Sequence, residues 1–162
     1  MAVSLILGGA RSGKSRMAEA RAGGGVLIAT AQAHDAEMAA RIARHRADRG
    51  AGWEVLEVPL DLPEALATLR EDRPVVIDCL TLWLSNLLLA GRGEGAEALP
   101  DALRACRADV ICVSNEVGQG IVPATPLGRA FRDAQGRLNQ RVAAASDRVT
   151  LMVAGLPLEV RP

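Results

Sequence analysis

Short apolar runs alternate with longer amphipathic stretches along the whole chain. Val3–Leu7 (VSLIL) ends in glycines and predicts a buried strand. Val26–Thr30 (VLIAT), Val75–Asp78 (VVID), Asp109–Ser114 (DVICVS) and Val149–Val153 predict further buried strands, and Trp53–Val58 alternates as a strand does. Helical patterns lie between them: Lys14–Arg21, Asp35–Arg49, Asp61–Arg70 with Pro63 in its first turn, Leu80–Ala90, Pro100–Arg107 and the long amphipathic Leu127–Ala145. Gly91–Gly95 and the Gly- and Pro-punctuated Glu116–Pro126 read as loops, and a short tail strand is expected around Leu158–Val160. This alternation predicts an α/β fold, a mostly parallel sheet with helices on both faces. Such sheets bind ligands beyond the carboxyl ends of their strands. The ends available are Gly8–Ser15, Thr30–Gln32, Asp78–Thr81 and Asn115–Gly118.

With 162 residues and 49% hydrophobic content, the chain suits a single domain over 1–162. Its 19 basic and 19 acidic residues cancel, so nothing in the balance favours nucleic acid or an anionic membrane. The longest apolar run, near Leu80–Ala90, contains Thr81, Ser85 and Asn86 and is too short to span a bilayer. Met1–Leu7 has no basic flank, so no targeting signal is expected. Cys79, Cys106 and Cys112 form no CxxC pair; they predict reduced thiols in a cytoplasmic core and argue against a zinc site. One count changes the picture: 18 of the 19 basic residues are arginine, and the sole lysine is Lys14. A compact ammonium and a planar guanidinium are not interchangeable at a tight phosphate site.

Lys14 falls in Gly8-Gly9-Ala10-Arg11-Ser12-Gly13-Lys14-Ser15, which fits GxxxxGK[ST] between a strand and a helix. The fold class is therefore that of P-loop NTPases. The glycines let successive N–H groups converge on phosphate oxygens, and the helix N-terminus adds positive charge. Lys14 can reach the β- and γ-phosphates and Ser15 can hold Mg²⁺. Asp78 stands where a Walker-B acid should. Its alternative role is a cap on the helix that starts at Leu80. Glu116, at the end of the next strand, is the competing acid. A regulatory GTPase would show NKxD, yet none of Asn86, Asn115 and Asn139 precedes a lysine. Asp133–Gly136 matches DxxG, but inside a helical stretch. A mechanical ATPase needs more chain, whereas a small-molecule kinase fits the size.

Arg41, His45 and Arg49 fall on one helical face, flanked by Arg44 and Arg46. Cationic neighbours disfavour imidazolium and leave His45 a lone pair able to attack an α-phosphate. On spacing alone, an incidental histidine on a solvated arginine-rich helix is the better reading. His34, beside Asp35, reads as a surface or capping residue.

Five blocks carry a resemblance that runs nearly end to end: GGARSGKSR (Gly8–Arg16), AEMAARIARHR (Ala36–Arg46), DCLTLWLSNLL (Asp78–Leu88), VSNEVGQGIVP (Val113–Pro123) and GRAFRDAQGRLNQRVA (Gly128–Ala143). Through them the chain resembles the bifunctional adenosylcobinamide kinase / adenosylcobinamide-phosphate guanylyltransferase family of cobalamin biosynthesis. The resemblance implies phosphorylation of adenosylcobinamide from ATP or GTP. It also implies transfer of GMP from GTP onto adenosylcobinamide phosphate, through a guanylylated histidine that matches His45. It makes His45 and Lys14 the catalytic pair. It places further nucleotide contacts on Thr30, Ala31 and Gln32, and on Arg46, Arg49, Gly50, Ala51 and Gly52 after His45. Glu57 is the candidate for a ribose or guanine contact.

A homotrimer with active sites near subunit contacts is implied too. Leu82, Trp83, Leu87 and Leu88 are apolar enough for an interface, with core the default. The sequence departs from the family in a short Gly91–Pro100 loop, and in Arg44 where some relatives carry a second histidine. The kinase base is open between Asp78 and Glu116. Two other readings remain: a P-loop kinase of another small metabolite, which leaves His45 idle, and a GTP- or ATP-binding regulatory protein that takes no covalent label.

Overall fold

The computed structural model of the protein describes residues 1–32, 52–70 and 72–162. The helix expected over Asp35–Arg49 lies outside the described residues, as do His34, His45, Arg46, Arg49, Gly50 and Ala51.

The apolar runs form β1 (Val3–Gly8), β2 (Gly25–Ala29), β3 (Trp53–Glu57), β4 (Val75–Asp78), β5 (Val110–Asn115) and β6 (Arg148–Val153), and the tail forms β7 (Leu156–Arg161). The sheet order is β3-β2-β4-β5-β1-β6-β7. Every pairing is parallel except the closing β6–β7 hairpin. The helices are α1 (Lys14–Ala22), α2 (Leu62–Thr68), α3 (Leu80–Leu89), α4 (Leu99–Ala105) and α5 (Pro126–Ala145).

Alternate residues of each central strand serve opposite faces, which is why these strands read as continuous apolar runs. Leu5, Ile28, Ile77 and Cys112 join Trp83, Leu103 and Leu138 in the core under α2, α3, α4 and α5. Ile6, Leu27, Val76 and Ile111 pack with Ala18 of α1 on the other face. Trp83 and Leu87 are core residues, 0% and 1% exposed; the Trp83 indole N–H donates to the Leu60 carbonyl at 2.7 Å.

Two expectations need correction. The Gly91–Gly95 loop is partly a 3-10 helix, Gly93–Ala98, which runs directly into α4. The tail strand is longer than expected, because Ala154 (φ 51°) and Gly155 (φ 81°) form a tight turn that pairs Val153 with Leu156.

Candidate active site

The site starts where β1 runs out. A Cβ on Gly8 (φ +155°) would lie 2.6 Å from Ser12 Oγ and 2.9 Å from the Met152 carbonyl, so only glycine lets the loop fold back over the strand end. Arg11 (φ 54°) and Gly13 (φ 91°) then take the chain through left-handed conformations. That curl turns successive N–H groups inward. Gly13 caps α1 with no side-chain hydrogen bond, and no acidic residue stands in the first turn. The first N–H groups of α1 and its positive end are thus available to an anion.

Lys14 lies within this loop, 7% exposed. Its ammonium donates to the Gly9 carbonyl and, at 3.4 Å, to Ser12 Oγ. Burial pulls its pKa below the usual lysine value, while Cys79 and Asp78 act in the opposite sense. The Cys79 thiol is pushed up by burial and then by Asp78. It is therefore uncharged at neutral pH, and Asp78 supplies the countercharge to Lys14.

Asp78 ends β4 in register with Ala29. The N-cap of α3 is Cys79, so Asp78 does not cap that helix. Thr30, fully buried just past β2, fixes this corner. Its hydroxyl donates to the Cys79 carbonyl at 2.7 Å and accepts from the Cys79 N–H at 2.9 Å. Its own N–H donates to the Asp78 carbonyl at 3.2 Å, and Asn86 Nδ2 donates to its carbonyl at 2.8 Å. Those bonds hold the Thr30 side chain against the Asp78–Cys79 link at the carboxyl edge of the sheet.

Ala31 and Gln32, half-buried, lead out from the same edge of the sheet. Glu57 ends β3 opposite Ala29, on that edge but on the outermost strand. Gly52 is not brought to the loop within one chain. Its carbonyl accepts from the Gly25 N–H at 3.0 Å, at the amino-terminal edge, a strand's length of roughly 15 Å away.

A buried polar network went unread in the sequence. Ser114 Oγ donates to Asn139 Oδ1 at 2.7 Å, and Gln135 Nε2 donates to both at 2.9 Å. Asn139 Nδ2 donates to the Asn115 carbonyl at 3.0 Å and to Glu116 Oε1 at 3.1 Å. Gln135, Leu138, Asn139, Val142 and Ala145 are the buried residues of α5. A glutamine and an asparagine at i, i+3, i+4, i+7 spacing inside an apolar stripe are the signal that would have exposed it.

The chain matches the profile of the cobinamide kinase / cobinamide phosphate guanyltransferase family over residues 4–160. It is 48% identical to the bifunctional adenosylcobalamin biosynthesis protein CobP of Pseudomonas aeruginosa, over 97% of this chain and 96% of that one. It is 42% identical to the bifunctional adenosylcobalamin biosynthesis protein CobU of Salmonella typhimurium, over 97% and 98%. Among solved structures, the P4 protein of bacteriophage phi6 in complex with ADP superposes with a TM-score of 0.54 at 17% identity. That match covers 96% of this chain but 52% of the phage protein, so the chain spans about half its length. A Pyrococcus horikoshii protein (PH0250) gives 0.56 at 7% identity, over 99% and 86%. Both structural likenesses concern the fold alone.

Proposed function

This chain belongs to the cobinamide kinase / cobinamide phosphate guanyltransferase family, and from that premise we infer a bifunctional enzyme of adenosylcobalamin biosynthesis. It phosphorylates adenosylcobinamide from ATP or GTP. It then transfers GMP from GTP onto adenosylcobinamide phosphate, giving adenosylcobinamide-GDP and pyrophosphate. The observation that carries the reading is the phosphate cradle of Gly8–Ser15, with its uncapped α1 and buried Lys14, inside a chain that matches the family nearly end to end.

In the phosphoryl step the loop N–H groups and Lys14 hold the β- and γ-phosphates while the substrate hydroxyl attacks the γ-phosphorus. In the nucleotidyl step His45 attacks the α-phosphorus and pyrophosphate leaves. The phosphate of the corrinoid then displaces the imidazole, and the P–N bond breaks. Thr30, Ala31, Gln32 and Glu57 at the carboxyl edge are the proposed nucleotide contacts, with Arg46, Arg49, Gly50 and Ala51; Gly52, at the opposite edge of its own sheet, would contact a nucleotide in a neighbouring subunit.

The donors present fit Mg²⁺. An ion shared with a nucleotide needs one or two protein oxygens, the rest coming from phosphate and water. Ser15 lies in the first turn of α1, and Asp78 acts by charge on the lysine of the same loop. Among the described residues no group of three or more His, Cys, Asp or Glu forms a closed metal cage. Ser15 and Asp78 would hold the ion, and it would offset negative charge on the phosphates.

The enzyme acts in this reading as a cytoplasmic homotrimer on small-molecule substrates. Among the described residues no helix is long and apolar enough to cross a membrane.

The test is to incubate the protein with Mg²⁺ and GTP labelled at the α-phosphate, denature it, and look for bound label beside His45→Ala. Acid-labile, alkali-stable label that disappears in the variant is expected. Absence of label while GTP binds would sink the guanylyl–histidine and favour a plain kinase.

A further inference from the structure

We propose that Glu116 is the general base of the phosphoryl-transfer half-reaction, and that Asn139 is the residue that positions its carboxylate. The proposal rests on the function inferred above and names a residue that function leaves open.

β5 lies between β1 and β4, so its carboxyl end falls between the phosphate loop and Asp78. Glu116 is the first residue past that end. Its N–H donates to the Gly8 carbonyl at 3.1 Å, which pins its backbone against the first residue of the loop. A side chain leaving from there starts at the mouth of the phosphate site.

The carboxylate is also held. Glu116 Oε1 accepts from Asn139 Nδ2 at 3.1 Å. The second N–H of that amide goes to the Asn115 carbonyl, and its oxygen takes both Ser114 Oγ and Gln135 Nε2. A primary amide has two N–H donors and two lone pairs, so the Asn139 side chain is fully used and cannot rotate. Among the described residues Glu116 Oε2 takes no hydrogen bond, so one oxygen is fixed and the other is open to a proton.

Packing does not require this network. Leu138 and Val142 show that the same face of α5 can pack by apolar contact alone. Ser114 and Gln135 are nonetheless fully buried, Asn139 is 5% exposed, and Gln135 Oε1 is buried with no partner among the described residues. Buried polar groups cost stability unless paired, and a partly paired set is worse than an apolar one. A set kept at that cost, ending on a carboxylate beside the phosphate loop, marks positioning for chemistry.

Asp78 is the rival base, but its charge favours the Lys14 ammonium, and it is the carboxylate proposed above to hold Mg²⁺. A carboxylate engaged with the cation that neutralises the phosphates is poorly placed to accept a proton from the attacking alcohol. In the step itself the hydroxyl proton passes to Glu116 Oε2 as the alcohol oxygen bonds to the γ-phosphorus. The bond from the γ-phosphorus to the β,γ-bridging oxygen breaks, and its electrons leave on the nucleoside diphosphate. Glu116 then returns the proton to solvent.

The experiment follows the two half-reactions separately in the full-length enzyme. One assay measures transfer of γ-label from ATP to adenosylcobinamide, the other transfer of α-label from GTP to adenosylcobinamide phosphate. Glu116→Gln keeps an oxygen for Asn139 and should fold. It is expected to lower kcat of the first reaction by about 100-fold or more, the range for loss of a general base, and to leave the second within about threefold. Asn139→Ser should lower the same kcat by about tenfold with KM unchanged, and the double variant should be no slower than Glu116→Gln alone. Equal loss in both half-reactions, an unaffected kinase rate, or fully multiplicative single variants would each overturn the proposal. A wild-type enzyme that phosphorylates no adenosylcobinamide would sink the inferred function itself, and the proposal with it.

Discussion

Lys14 is the one residue whose identity composition alone singles out. In a chain that uses arginine everywhere else, its place explains the choice. It is buried within the loop with its ammonium on Gly9 and Ser12, a compact point charge whose contacts a wider planar guanidinium would not reproduce. Burial lowers its pKa, so the unfolded chain holds that proton more tightly than the native one. As pH rises toward the ordinary lysine value, the native state sheds the proton first and stability gains. Lys14→Met should therefore raise stability at pH 7 by about 1 kcal/mol, the size typical of strain relieved at a functional site, and should abolish GTP binding. Urea melts from pH 7 to 10 and equilibrium binding check both. A destabilised variant would mean that the Asp78 countercharge outweighs burial. Thr30 shows the limit of single-residue reading. Its place in the sequence suggested a nucleotide contact and gave no sign of its structural bond: its hydroxyl partner is Cys79, 49 residues away, and no local pattern reveals a bond of that range.

Among the elements, α5 closes the long loop that starts at Glu116. Thr125 Oγ1 accepts from the Gly128 N–H at 3.1 Å, and Pro126 occupies the first turn. Arg129 donates back to the carbonyls of Pro123 and Ala124 at 3.0 and 2.8 Å. Thr125→Ala should cost about 1 kcal/mol and lower Tm by roughly 2–4 °C, while Thr125→Ser should keep most of both. A melt that leaves the alanine variant at wild-type Tm would show that the cap carries no load. The central strands were legible because burial on both faces leaves unbroken apolar runs. α5 was legible because its stripe repeats over five turns. The 3-10 helix was not, since Gly-Glu-Gly-Ala reads locally as a loop. Packing decides it: a Cβ on Gly93 would meet Leu88 Cδ2 at 2.8 Å, so α3 and the glycine backbone close on each other. β7 was read only around Leu158–Val160, because all six of its residues are exposed and no buried alternation marks its full length.

For the whole molecule, the thiols report on the integrity of the core that the strand pattern implied. Cys79, Cys106 and Cys112 are free and buried, as their count and spacing suggested. Cys112 lies at the centre of the sheet, where burial and then Cys106 push its pKa from 9.0 up to about 12. Above pH 9 the unfolded chain therefore loses this proton while the native protein keeps it. The native state then binds more protons than the unfolded one, and stability must fall with rising pH until about pH 12. The limiting slope is about 1.4 kcal/mol per pH unit for one such group. Lys14 works in the opposite sense over part of that range, so the contribution of Cys112 is best isolated as a difference. Urea midpoints measured from pH 8 to 11 should fall more steeply for the wild type than for Cys112→Val. At pH 8 the native Cys112 thiol should react with a thiol reagent only as fast as the molecule unfolds globally, since its side chain lies in the core under α2, α3, α4 and α5, which cannot lift locally without exposing that whole face. Rapid labelling of Cys112 in a protein that still binds GTP would show that the helices lift from that face of the sheet without global unfolding. The stiffness assumed for the placement of Gly8, Asp78 and Glu116 would then have to be abandoned.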